Sequence, residues 1–234
     1  DRMAQIFVST VAHFFVSASG SKFHERMAHF FIDIYIRHFQ TDNSHYEKRG
    51  SDEVCIDDEI PFEIPKNWTW ARLSSASVSI ADGDHQPPPQ VQDGIPFLVI
   101  SNVSGGRVDF SNTRYVPKEY FDSLAEFRIP QYGDLLFTVT GFTAVGTLVK
   151  TYIVKDSDRF YYEDASVICF ENFGKINPAY LKLLMYSPYM EEQIKQNSAG
   201  TTVGTITIVK ANEYLIPLLP LMEQQRIVDQ AERL

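Results

Sequence analysis

The sequence predicts an α+β fold: a twisted, partly antiparallel sheet with helices beside it and a further helix starting at the C-terminal end. Three observations carry this reading. Gly133-Asp134 launches an alternating run, Leu135 to Thr140, which the loop between Gly141 and Gly146 joins to a second apolar run, Thr147-Leu148-Val149. That is the pattern of a strand–loop–strand hairpin. Asn177-Pro178 and Ser187-Pro188 each place a capping side chain before a proline at the first helical position, starting helices that run to about Tyr186 and Gln196. Finally, Glu223 to Leu234 sets Ile227, Ala231 and Leu234 on one helical face.

Taken in order, the chain opens with a histidine-rich segment, residues 1–46, which holds five of the six histidines. Phe23, Met27, Phe30, Phe31, Ile34 and Phe39 recur near helical spacing, predicting an amphipathic helix from Lys22 to Gln40. His24 and His29 lie five apart, about 140° around a helix, and so miss the four-residue spacing of a zinc protease. Residues 47–65 carry seven carboxylates and close on Pro61 and Pro65, which reads as a solvated, extended acidic linker (47–63). From Ile64 a compact domain begins, with Trp68, Trp70 and Arg72 on one side of a strand and Leu73 turning into the core.

Asp82-Gly83-Asp84-His85-Gln86-Pro87-Pro88-Pro89 is a stiff loop. It fails as a calcium loop because Pro87 stands where glycine is needed and Asp93 replaces the closing glutamate. A strand is predicted over Ile95–Ser101, a turn at Gly105-Gly106, a strand at Val108–Phe110 and a short helix from Pro117 to Ala125. After the hairpin come Phe160-Tyr161-Tyr162, a strand at Ser166–Phe170, the two proline-started helices, a polar loop at Gly200–Thr205 leading into a strand at Ile206–Val209, and an extended Leu215–Pro220.

Composition narrows the function classes. At 234 residues, 44% apolar and 13% aromatic, the chain has enough to bury a core. A net charge of −9 argues against a nucleic-acid binder that uses its whole surface, but not against one using a local face. Cys55 and Cys169 have neither disulfide-framework nor zinc spacing, as in a cytosolic protein with reduced thiols. The apolar stretch Met3–Gly20 is too interrupted for a membrane span or a signal peptide, and reads as buried or partner-facing. The chain starts at Asp1 and stops inside a helical pattern, so it reads as a fragment of a longer polypeptide.

No phosphate-binding Gly-x-x-x-x-Gly-Lys-Ser/Thr, no Gly-x-Ser-x-Gly elbow and no metal-ligand spacing is present. Asn177-Pro178-Ala179-Tyr180 approaches the motif with which adenine-N6 methyltransferases hold a flipped base, but capping accounts for it with residues in hand. Charge placement is more informative. Leu135–Lys155 and Gln193–Asn212 contain no carboxylate and carry Lys150, Lys155, Lys195 and Lys210. Such stretches suit a polyanion, and equally suit ordinary sheet segments.

Several segments, in order, resemble the target-recognition domain of type I restriction–modification specificity (S) subunits: Glu59-Ile60-Pro61-Phe62-Glu63-Ile64-Pro65 with Trp68-x-Trp70, Asp82-Gly83-x-His85-x-x-Pro88, Gly94-Ile95-Pro96-Phe97-Leu98, Gly133 to Thr138 with Gly141, and Ile216-Pro217-Leu218-x-Pro220-Leu221-x-Glu223-Gln224-Gln225-Arg226-Ile227-Val228. The resemblance spans about Tyr46 to Leu234; Leu219 and Val139 depart from it, the family often having proline and a basic or polar residue there. It implies a recognition domain over 64–222 and, from Glu223 to Leu234, the start of a long spacer helix. It also implies a non-catalytic role, in which the chain binds one half of a bipartite sequence in double-stranded DNA. Methylation from S-adenosylmethionine would then belong to modification subunits, and ATP- and Mg-dependent translocation and cleavage to a restriction subunit reached through the complex. No cofactor would bind this chain, and no membrane is involved.

On that basis the expected DNA face is His85, Gln86, Thr138, Thr140, Gly141, Phe142, Thr143, Gly200, Thr201 and Thr202, with Lys150, Lys195 and Lys210 on phosphates. Gln224, Ile227, Val228, Ala231 and Leu234 are the expected subunit interface. The competing readings are an adenine-N6 methyltransferase fragment using Asn177 and Tyr180, and a protein-interaction module that does not touch DNA.

Overall fold

The structure, a computed structural model, describes residues 36–41, 44–84, 86–104, 106–125, 128–138, 142–143, 146–147, 150–162, 167–172, 175–196 and 206–233. Its first elements form an antiparallel meander of β1 (Ile36–Thr41), β2 (Ser44–Arg49) and β3 (Asp52–Cys55). β1 runs in register from Ile36↔Arg49 to Thr41↔Ser44, and β2 from Tyr46↔Cys55 to Arg49↔Asp52. Gly50, at φ 61, supplies the left-handed backbone that a two-residue hairpin turn between β2 and β3 requires.

Two expectations change here. The helix predicted over 22–40 lies outside the described residues up to 35, and from Ile36 the chain is a strand: pairing along β2 prevails over the spacing of a few aromatics. The stretch expected as a solvated acidic connector holds hydrogen-bonded strand. Its Glu47 is 2% exposed, bonded to Arg49 and to Arg72 (Nε–Oε2 2.9 Å). Acidic composition misled because these carboxylates have cationic partners far along the chain. Arg72 also grips Glu59 with both guanidinium nitrogens (2.8 and 3.0 Å) and donates to the Glu213 carbonyl, while Arg49 reaches the Glu213 carboxylate at 2.8 Å.

β4 (Thr69–Arg72) leads through a one-turn helix, α1 (Leu73–Ala76), into β5 (Ser77–Asp82). β6 (Ile95–Leu98), a small hairpin of β7 (Val103–Ser104) and β8 (Arg107–Val108), β9 (Arg114–Val116) and α2 (Lys118–Ser123) follow. β10 (Leu135–Thr138) starts after Gly133, whose φ is 85. Beyond it come β11 (Phe142–Thr143), β12 (Gly146–Thr147), β13 (Thr151–Ile153), β14 (Tyr161–Tyr162) and β15 (Val167–Asn172). The main sheet is ordered β13-β10-β15-β5, all antiparallel; a second sheet, β14-β6-β9, contains a parallel pair.

β10 alternates as predicted, but both of its faces are buried. Leu135 and Phe137 enter a core with Tyr180, Leu181 and Met185, while Leu136 enters a second core with Phe97, Tyr152 and Tyr161. A strand covered on both faces is what allows one hairpin to organise two hydrophobic layers.

The C-terminal third is α3 (Pro178–Met185), α4 (Pro188–Gln196), α5 (Ile208–Glu213), β16 (Leu215–Leu218) and α6 (Leu221–Ala231). The strand expected at Ile206–Val209 is instead the entry to α5. Thr207 caps that helix, its hydroxyl accepting from the Lys210 N–H, and this local bond outweighs the β-branched run. β16 pairs with β4 from Leu215↔Arg72 to Leu218↔Thr69. α6 begins two residues earlier than predicted, and its Glu223 accepts from Asn67 and from the Trp68 indole (2.6 and 2.5 Å). The α+β class is as expected, and no helix among the described residues is long and apolar enough to cross a membrane.

Candidate nucleic-acid interface

Strand register decides which loops meet. Phe137 faces Thr151, Thr138 faces Val167, and Ile168 faces Asp82. The C-terminal ends of β5 and β10 and the N-terminal ends of β13 and β15 therefore lie together at one end of the main sheet. The segments leaving that end are 83–94, 139–150 and 163–166. Two of the three loops expected to contact DNA, the one with His85 and Gln86 and the one with Thr140 to Thr143, thus leave the same end of the sheet, from β5 and β10, which β15 separates. Lys155 follows β13 and sits at the opposite end.

Individual residues divide more sharply. Gln86 is exposed. Phe142 and Thr143 form β11 and pair with Thr147 and Gly146 in a small ladder beyond the sheet end. His85, Thr140, Gly141, Gly200, Thr201, Thr202 and Leu234 lie outside the described residues. Thr138 does not face solvent. It is 0% exposed, its hydroxyl accepts from the Lys150 N–H (2.9 Å), and its own N–H donates to the Lys150 carbonyl. Its polar atom is spent closing the strand pair, a correction to its expected place on the DNA face. Lys150 is held by those same two bonds directly at the sheet end.

Lys195, in the last turn of α4, pairs with Glu191 one turn earlier at 2.7 Å. Lys210 lies in the first turn of α5. The sequence had read the Asp82–Asp84 loop as a failed calcium site. In the structure Asp84 is the partner of Arg128, whose guanidinium stands 5.8 Å over the Tyr161 ring. No group of three metal-ligating side chains occurs among the described residues.

Two of the expected subunit-interface residues turn inward. Gln224 is 0% exposed: its carbonyl oxygen accepts from the Asn177 N–H (2.6 Å), and its amide donates to the carbonyls of Lys175 and Leu219. Val228, 4% exposed, joins the core under α3, with Ile227 partly buried against it. The helix packs on this chain's own domain through Gln224 and Val228, with Ile227 and Ala231 only partly covered.

The methyltransferase-like tetrad also resolves into structure. The Asn177 side chain caps α3 by accepting from the Ala179 N–H (2.9 Å), as the capping reading expected. Its amide donates to Gln225, and the buried Tyr180 hydroxyl donates to the Pro217 carbonyl at 2.9 Å. Neither side chain is free to hold a base. Three residues that the sequence left unassigned stand near the loop end instead: Arg107, Lys182 and Tyr186. Lys182 and Tyr186 lie one turn apart on α3, while Arg107 comes from a distant hairpin, so no spacing rule could have joined it to them.

No family model matches the chain. Among curated proteins it is 23% identical over 180 residues to the EcoBI type I restriction enzyme specificity subunit of Escherichia coli, covering 76% of this chain and 37% of that protein. It is 26% identical over 175 residues to the MjaVIII specificity subunit of Methanocaldococcus jannaschii, covering 74% and 40%. The chain thus spans well under half the length of the curated relatives it matches. Among solved structures, the HsdS subunit from Thermoanaerobacter tengcongensis aligns at a TM-score of 0.53 and 22% identity, over 75% of this chain and 44% of that one. A chain from a structural study of assembly and conformational transition in the type I R-M system also aligns at 0.53, with 21% identity over 74% and 40%. The chain is thus similar in sequence to type I restriction enzyme specificity subunits and shares the fold of part of the HsdS subunit.

Proposed function

We propose that this chain reads one half of a bipartite sequence in double-stranded DNA and so directs the modification and restriction subunits of a type I system to it. The observation that carries this reading is the register of the main sheet, which brings the ends of β5, β10, β13 and β15 that flank segments 83–94, 139–150 and 163–166 to one end of a sheet whose strand β10 is buried on both faces. A sheet that presents several loops at one end suits readout of base edges, with Gln86 as a donor–acceptor side chain for a base and Lys150, Lys195 and Lys210 for phosphates. The chain itself performs no chemistry in this reading; S-adenosylmethionine, ATP and Mg belong to the partner subunits, and the setting is the cytoplasm. The recognition domain over 64–222 remains proposed, now closed by the meander that precedes it and by the helix that begins at Leu221, with Ile227, Ala231 and Leu234 as contacts for partner subunits.

The test is a genome-wide map of N6-methyladenine in the source cell with and without the parent gene. One split motif should lose its methylation on deletion and regain it on complementation. An unchanged map from a strain in which the gene is expressed and assembled would overturn the reading.

A further inference from the structure

The loop end of the sheet continues into a cationic strip that the sequence did not group. α3 starts at Asn177, past the far end of β15, and runs back toward the loop end, where its cap residue Tyr186 meets β13. The Tyr186 hydroxyl accepts from the Thr151 N–H (3.2 Å) and from the Thr151 hydroxyl (3.1 Å), immediately beside Lys150. With both bonds accepted, the phenolic proton remains as a donor, and the residue is 46% exposed. One turn earlier on the same face is Lys182. Its ammonium stands over the turn joining β7 and β8: a Cβ placed on Gly106 would lie 3.1 Å from Nζ. Gly106 takes φ 75 there, and the next residue is the exposed Arg107. The line Arg107, Lys182, Tyr186, Lys150 is therefore continuous, and it ends where the candidate recognition loops begin.

The chain carries 30 acidic against 21 basic residues, and Lys48, Lys118, Arg49, Arg72, Arg128 and Arg159 are each bonded to a carboxylate. Arg107, Lys182 and Lys150 have no such ion pair among the described residues; the same is true of Lys66, Arg114, Lys155, Lys210, Arg226 and Arg233, so what sets these three apart is their placement in line with the loop end. An acidic protein that leaves three adjacent cations and a hydroxyl donor uncompensated, in line with a loop cluster, has the chemistry of a phosphate track.

We propose that Arg107, Lys182 and Tyr186 extend from Lys150 as a strip that binds the DNA phosphate backbone and sets how the duplex lies across the recognition loops. This rests on the DNA-reading function proposed above and adds residues to it. A backbone contact carries no sequence information, so its loss weakens binding to every duplex by the same factor.

The experiment measures fluorescence-anisotropy binding of the full chain to two duplexes, one carrying the methylated split motif and one unrelated, over a range of salt. The Arg107→Ala, Lys182→Ala double variant should bind both duplexes more weakly with the preference between them unchanged. The slope of log K against log salt should fall by about 0.9 for each cation removed. Lys182→Arg should retain the slope. Arg107→Glu alone, on an exposed turn, gives a second readout that does not depend on the helix. An unaltered slope with the sequence preference intact would overturn the strip and leave the recognition reading standing. A loss confined to the motif duplex would also overturn it. An unmodified chain with no preference between duplexes would overturn the recognition reading, and an unmodified chain that binds neither duplex would overturn both.

Discussion

Arg72 is the side chain on which the N-terminal meander closes against the rest of the fold. It is 5% exposed and joins Glu47 of β2, Glu59 and the Glu213 carbonyl, which come from three separate parts of the sequence. Burial pushes the Glu47 carboxyl up, but the bonds from Arg49 and Arg72 outweigh it and hold the group below its ordinary 4.5. Asp57 is held at about 2, first by the His45 backbone N–H (2.6 Å) and then by the Ser44 hydroxyl. For both carboxyls the folded value lies below the unfolded one. Their stabilisation is therefore complete above the ordinary carboxylate range and is lost as pH falls through the folded values. Arg72→Ala leaves Glu47 buried with half its charge partners gone, which costs about 3–5 kcal/mol. Urea unfolding at neutral pH should show that loss, and the difference between variant and parent should narrow in acid, where Glu47 is protonated. A midpoint equal to the parent's would mean that the meander is not held by this arginine.

At the scale of elements, the hairpin around β10 shows what the sequence could and could not disclose. Its turn, alternation and position were legible because they depend on nearest neighbours: glycine, aspartate and period-two apolar residues. The same holds for Asn177 as a helix cap. The second core over Leu136 was not legible, because it is built from β6, β14 and the segment around Phe160, all paired through long-range register. Nor could a sequence show that the Thr138 hydroxyl is turned inward to bond the Lys150 backbone. Thr138→Val tests that placement. It keeps shape and burial but strands the Lys150 N–H without an acceptor, costing about 1–3 kcal/mol of stability. Thermal unfolding should register the loss, while DNA base preference stays that of the parent. A changed preference with unchanged stability would return Thr138 to the reading surface. The missed strand at Ile36 and the missed helix at Ile208 fail in opposite directions for one reason: a ladder partner in one case and a threonine cap in the other settled what a short β-branched or aromatic run left open.

For the whole molecule, the governing quantity is a net charge of −9 carried by a proposed DNA binder. Long-range attraction to a polyanion is then absent, and affinity must come from a small set of local contacts. The cations assigned here to phosphates are Lys150, Lys195, Lys210, Arg107 and Lys182, and Lys195 already has Glu191 as a partner. Each phosphate contact contributes about 0.9 to the slope of log K against log salt, so the full chain should show a slope no steeper than about −4.5. Titration of a duplex at several salt concentrations measures it directly. A steeper slope would place further cations on the DNA, from segments other than those named. A slope near zero would mean that base contacts and shape carry the binding without the backbone. Within that limit Lys195→Ala separates two roles. If Glu191 holds the lysine away from DNA the slope stays as in the parent, and if DNA displaces the carboxylate it falls by about 0.9. The excess of 30 acidic over 21 basic residues works against docking that lacks these local contacts, so the duplex is favoured where cations gather before any base is read.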